Sequence, residues 1–174
     1  MSFSMSSSSV PAFEIALSAL SGVLDRAAAY AEAKKIDPSV LLQSRLFPDM
    51  FPLVRQVQAA ADLAKNGTAR LAGVDAPKYE DNETTIDQLK ERIAKTAVFL
   101  KTIEPKIVDG SGDREITFPL GPTNQGHMNG ADYLNHCLLP NFYFHVTAAY
   151  TILRHCGVDI GKRDFLGNIP IKVT

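Results

Sequence analysis

Apolar residues recur at helical spacing in four stretches of the chain, with no repeat or linker between them. In the first, Phe13, Leu17, Leu20, Leu24, Ala27 and Ala31 predict a helix from about Pro11 to Lys35, with Pro11 in its first turn. Asp37-Pro38-Ser39 then stops it and starts a short helical turn ending near Ser44. The second stretch follows the proline-bounded segment Arg45–Pro52 and runs to about Ala72. Its stripe is Leu53, Val57, Ala60, Ala61, Ala64, Thr68 and Leu71, with Gly73 as its stop. So many alanines predict close approach to a neighbouring helix.

The third helix is the clearest. Thr84 or Thr85 caps it, Asp87 suits the positive end of its dipole, and Ile86, Leu89, Ile93, Ala97, Leu100 and Ile103 share a face. Glu91 and Lys95 lie opposite, Lys90, Arg92 and Lys101 flank the stripe, and Pro105 ends it. Residues 109–129 are punctuated by glycines, and Glu115-Ile116-Thr117-Phe118 alternates like a strand, which predicts a small hairpin. The fourth helix runs from about Gly130 to His155, kinked by Pro140 and stopped by Gly157. Residues 158–174 have no helical period and read as an extended strap held by Phe165, Leu166 and Ile169. The serine-rich residues 1–10 read as a disordered tail, leaving 11–174 as one domain. Four long helices with one longer crossover predict an all-α four-helix bundle.

Charge narrows the partners. Eighteen basic residues against nineteen acidic ones give a net charge of −1, and no long run of either sign occurs, which argues against nucleic acid. No run of eighteen apolar residues predicts a membrane span, and Glu14 with no basic flank opposes a secretory signal. Cys137 and Cys156 on one helix would lie roughly 28 Å apart, beyond disulfide reach. They read as reduced packing residues of a cytoplasmic protein.

Candidate chemistry is concentrated in Tyr133–Asp159, which holds three of the four histidines and both cysteines. On an unbroken helix the inner stripe is Leu134, Leu138, Asn141, His145, Ala148 and Ile152. Asn141 and His145 then lie about 40° apart and both face the core. His136 and His155 read as surface or helix-end residues, and His127 sits in a glycine-flanked loop. A lone histidine on an apolar stripe is most often a core residue satisfied by one or two hydrogen bonds. Metal ions want three or four ligands converging from different elements. All four histidines fall between His127 and His155, so a metal would need carboxylates such as Asp49 or Asp62 beside His145. No Ser-His-Asp or Cys-His pairing is evident.

Residues His145–Val158 resemble the last helix of the DinB/YfiT-like superfamily, a four-helix-bundle superfamily of metalloenzymes. Leu-Pro-Asn-Phe-Tyr-Phe-His (139–145) and Arg-Leu-Phe-Pro-Asp-Met-Phe-Pro-Leu (45–53) resemble the signatures of an uncharacterised domain-of-unknown-function family within it. The resemblance covers nearly the whole chain and implies the bundle fold. Matched to the superfamily's last-helix motif, His145 takes the second histidine position and Asn141 stands at the first. The superfamily's histidine on the second helix has no counterpart, because no histidine precedes residue 127. The resemblance therefore implies a polar interhelical pocket with an incomplete metal site, walled by Phe142 or Phe144. Arg45 or Asp49 would enter it from the proline-bounded segment.

Three readings stay open. The first is a small-molecule pocket without cofactor, either a binding site or a metal-independent enzyme. In it His145 is general acid or base and Asn141 orients it or the substrate; the relatives imply thiol-dependent transferases and isomerases. The second is a residual metal-dependent hydrolase or transferase using His145 with Asp49 or Asp62. The third is a homodimeric interaction protein whose polar pair only specifies packing.

Overall fold

Ser4 is the residue that starts the bundle. In the computed structural model, which describes residues 4–171, its hydroxyl accepts from Ser7 N–H while the Ser7 hydroxyl accepts from Ser4 N–H. This reciprocal cap opens α1 (Met5–Lys34). Residues 5–10 are thus the first turns of a helix and not a tail, and the rest of the expected tail, 1–3, lies outside the described residues. Serine is a weak helix former, yet at this end its hydroxyls satisfy backbone groups: Ser8 Oγ donates to Ser4 O and Ser9 Oγ to Met5 O. Pro11 accordingly sits inside α1 and not in its first turn.

Asp37 caps α2 (Pro38–Gln43) through Ser39 N–H. After the turn at 44–52, α3 runs Leu53–Ala72 and stops at Gly73, whose φ of 69° is the left-handed conformation a Schellman-type ending needs. Thr85 and Gln88 form a capping box for α4 (Ile86–Lys101). Then α5 (Pro105–Asp109) leads into β1 (Glu115–Leu120), which pairs antiparallel with β2 (Asn124–Asn129) from Glu115 opposite Asn129 to Leu120 opposite Asn124. Ile116 and Phe118 point inward, and the Phe118 ring meets that of buried Tyr133 at 5.0 Å.

The last long helix is built in three joined pieces: α6 (Gly130–Asp132), a π-helical turn (Tyr133–Leu138) and α7 (Leu139–His155). Leu139 N–H bonds to Leu134 O, five residues back. Pro140, having no N–H, follows where the chain returns to i→i−4 bonding, so it sits at the start of a helical segment that tolerates it. Beyond Gly157 the strap is not wholly extended: α8 (Lys162–Leu166) forms, with Asp164 Oδ2 accepting from Gly161 N–H, and Phe165 packs edge-on against Tyr150.

Helices α1, α3, α4 and α7 form the four-helix bundle, with α1 beside α4 and α7 and α3 beside the same two. The whole expected stripe of α3 is buried. A close approach on α3 is made at a glycine, where Gly67 packs directly under Leu138 of the π turn. By length and composition α1 is apolar enough to cross a membrane, and its stripe Phe13, Leu17, Leu20, Leu24, Ala27 and Ala31 is buried in the bundle core. Cys137 and Cys156 are both free.

Candidate functional site

The π turn changes which residues α7 turns inward. A turn closed by i→i+5 bonds holds about one residue more than an α turn, so the face beyond it lags by roughly 100°. The buried residues are Tyr133, Leu134 and Leu138, then Phe142, Val146, Ala148, Ala149, Ile152 and Leu153, so the expected Ala148 and Ile152 stay in the core while Asn141 and His145 do not. Phe142 takes the core position that an unbroken helix assigns to Asn141, and its ring meets Phe13 at 4.7 Å. Asn141 is exposed, and its amide reaches Cys137 Sγ at 3.9 Å. His145 is rotated to the edge of the core and is half-buried. Asn141 and His145 therefore do not act as a core pair, and among the described residues no hydrogen bond joins them.

What His145 meets instead is Gln56, one turn into α3. The Gln56 side chain is 1% exposed, and its Oε1 lies 2.7 Å from His145 Nδ1. Its amide nitrogen donates to Phe51 O at 3.1 Å, which fixes Oε1 as the atom facing the imidazole. The only complementary tautomer carries the proton on Nδ1. Nε2 is then an unprotonated acceptor. Burial holds the His145 pKa below its ordinary value of 6.5, so the ring is neutral at pH 7.

Two aromatic rings orient this imidazole. Phe51 lies nearly parallel to it at 6.3 Å and 17°, and Phe144 stands edge-on at 5.2 Å. The Phe51 ring is also approached by the Arg55 guanidinium at 5.6 Å. Phe144 also walls an apolar cleft of about 380 Å³ between the 44–52 segment and α7, with Leu46, Met50, Tyr143, Thr147, Ala148 and Thr151. The Tyr143 hydroxyl in this wall has its pKa raised by burial. Arg45 and Asp49 come from the segment expected to supply them, but both side chains point to solvent.

The donor set does not fit the metal centre that the superfamily resemblance implies. His145 Nδ1 is committed to Gln56, which leaves one ring nitrogen. Asn141 faces outward, Asp49 is exposed, and Asp62 is held by Arg92 and Lys65. Among the described residues no three His, Cys, Asp or Glu side chains form a group that could hold a metal ion. His136 and His155 are exposed, as expected, and His127 is held on the hairpin by Thr117 at 3.2 Å.

A second polar cluster lies on the other side of α3. Arg92 is not a flanking residue of α4: its side chain is 1% exposed. It donates to Asp62 at 2.8 Å, to Glu83 at 2.8 Å and to Glu80 O at 3.1 Å, and pairs with Asp81 at 2.9 Å. Lys65 Nζ stands 3.0 Å from Asp62 Oδ1, without hydrogen-bond alignment, and 3.9 Å from the Tyr79 ring. Glu83 also accepts from Gln58. This network clamps the α3–α4 connection onto the bundle. Neither it nor Gln56 is signalled by hydrophobic periodicity. The spacing of Gln56, Asp62, Lys65 and Arg92 offers only the weak hint of polar residues adjoining apolar stripes.

Comparison with known proteins agrees with this architecture. The chain is similar to a DinB family member protein from Shewanella denitrificans whose crystal structure has a TM-score of 0.88 at 42% identity. The match covers 95% of this chain and 93% of that one. No curated protein matches. The family model described as domain of unknown function DUF1993 matches residues 5–166, and with the bundle, the hairpin before the last helix and the long sequence match all in agreement, the chain belongs to the DUF1993 family.

Proposed function

We propose that this protein binds a small, largely apolar molecule carrying one hydrogen-bond donor. The apolar part lies in the cleft walled by Phe144, and the donor rests on His145 Nε2. The observation that carries this reading is the 2.7 Å contact of His145 Nδ1 with buried Gln56. It spends one ring nitrogen on the fold and leaves the other as an oriented acceptor. Ligand sites of this kind are mostly apolar with a few placed polar groups. A neutral imidazole with a lowered pKa is also a competent general base, so proton abstraction from a bound hydroxyl or thiol is the chemistry the site suits. Asn141 then serves at most the rim, and Arg45 and Asp49 have no part in the pocket.

The reading is tested with p-cresol, an apolar ring bearing one hydroxyl donor. Titrated into uniformly ¹⁵N-labelled protein, it is expected to shift the His145 Nε2 resonance saturably. Phe144→Ala should weaken the response by about fivefold, the equivalent of about 1 kcal/mol of lost aromatic contact. A spectrum in which neither His145 nor Tyr143, Phe144 and Thr147 responds contradicts the proposal.

A further inference from the structure

Leu46, Phe47, Phe51, Tyr143 and Phe144 leave 40%, 63%, 48%, 39% and 56% of their surfaces in water. At roughly 200 Å² per large side chain this is on the order of 500 Å² of exposed apolar surface. Leu46, Phe51, Tyr143 and Phe144 belong to one face, and Phe47 follows Leu46 in the chain. Leu46, Tyr143 and Phe144 share a cleft, and Phe51 and Phe144 both pack on His145. Their backing helix is without charge over a long stretch: no Asp, Glu, Lys or Arg occurs from Leu139 to Leu153. A neutral face of this extent has nothing with which to recognise a strongly acidic or basic partner.

Arg55 beside Phe51 is paired with Asp81, and the unpaired charges that adjoin the face are one of each sign. Arg45 and Asp49 flank Leu46 and Phe47 in the same segment. Both are exposed, and among the described residues neither has an ion-pair partner. A two-fold interface must be self-complementary, with each patch meeting a copy of itself. One unpaired cation and one unpaired anion beside a neutral apolar face meet that requirement, because each pairs with its opposite across the axis. Standard interfaces take about 800 Å² from each partner. The apolar area here is about 500 Å², and Arg45, Asp49, Thr147 and Thr151 as rim extend it toward that size.

We infer that this face is the interface of a homodimer, in which α7 and the 44–52 segment of one copy pack on the same elements of a second. The apolar face and the charge pattern carry this inference whatever the cleft binds. In such a dimer the second copy roofs the cleft beside His145.

Analytical ultracentrifugation of the full chain, from about 1 to 100 μM, tests it. The expected mass at high concentration is twice the 18.9 kDa of one chain. Thr147→Glu, which puts a charge on the exposed face, should weaken dimerisation by about a hundredfold while leaving the circular-dichroism spectrum unchanged. Asp49→Arg should weaken it by about tenfold, and adding Arg45→Asp to that variant should restore most of the loss. A monomer at every concentration overturns the inference, as does a dimer insensitive to Thr147→Glu or a double charge swap no better than the single one.

Discussion

Arg92→Met is expected to lower stability by about 3 kcal/mol, the low end for breaking a buried ion pair because Asp62 and Asp81 keep some access to water. For a chain of this length that is a fall of roughly 6–12 °C in melting temperature. The cost arises because methionine fills the space but strands three carboxylates that the guanidinium now holds. The pH dependence separates this from simple loss of packing. Burial pushes the Glu83 carboxyl up, but hydrogen bonds from Arg92 and Gln58 outweigh it, so its pKa lies below 4.5. For Asp81, burial is likewise outweighed by Arg55 and Arg92, and its pKa lies below 3.8. Depressed folded pKa values supply stability that is present above the unfolded values and lost as pH falls through the folded ones. Wild type should therefore lose stability steeply below about pH 4.5, and Arg92→Met should show a flatter acid limb. Thermal melts of both proteins between neutral and acid pH check this. Equal melting temperatures at pH 7 would refute the clamp.

Gly130→Ala has the second largest expected effect, about 2–3 kcal/mol of destabilisation by overpacking. Gly130 opens the last long helix, buried against the chain leaving α5. A methyl group there would overlap the Ser111 carbonyl oxygen, and backbone cannot swing aside as a side chain can. Nor is the neighbouring chain free to retreat, because Ala131 N–H bonds to Gly112 O at 3.0 Å and the Ser111 hydroxyl to Val108 O at 2.7 Å. Alanine's better helix propensity returns only about 1 kcal/mol. Gly22→Ala is the matched control: Gly22 lies on the exposed side of α1 with nothing within 4 Å of its added carbon, so it should stabilise by about 0.5–1 kcal/mol. Denaturant unfolding of the two variants measures both. A Gly130→Ala protein as stable as wild type would show that the hairpin-to-helix junction gives way more easily than this packing implies.

The bundle was legible because periodicity and punctuation agreed. Leu53 to Leu71 and Ile86 to Leu100 keep one helical phase, and Gly73, Thr85, Pro38 and Gly157 mark boundaries with the backbone chemistry expected of them. The site was less legible, for three physical reasons. The π turn at Tyr133–Leu138 shifts the phase of the turns that follow it, and a constant 3.6-residue period cannot register an inserted residue. That slip is why Asn141 looked inward and Phe142 did not. Gln56 and Arg92 are polar residues beside apolar stripes, and burial of such groups depends on partners far along the chain, 89 positions away for the Gln56–His145 contact. Finally, Ser4–Ser9 has the composition of a tail, yet local side-chain hydrogen bonds make it a helix start.

The central claim is that His145 is a neutral, Gln56-anchored imidazole presenting Nε2, and not a remnant of a metal centre. Long-range ¹H–¹⁵N correlation of the histidine rings across pH tests it most directly. The proton is expected on Nδ1 at pH 7 with a pKa below 6.5, caused by burial, and Gln56→Glu should raise that pKa by about 1 unit through the added carboxylate. A His145 ring protonated on Nε2 at pH 7, or one titrating above 6.5 in the wild-type protein, would contradict it.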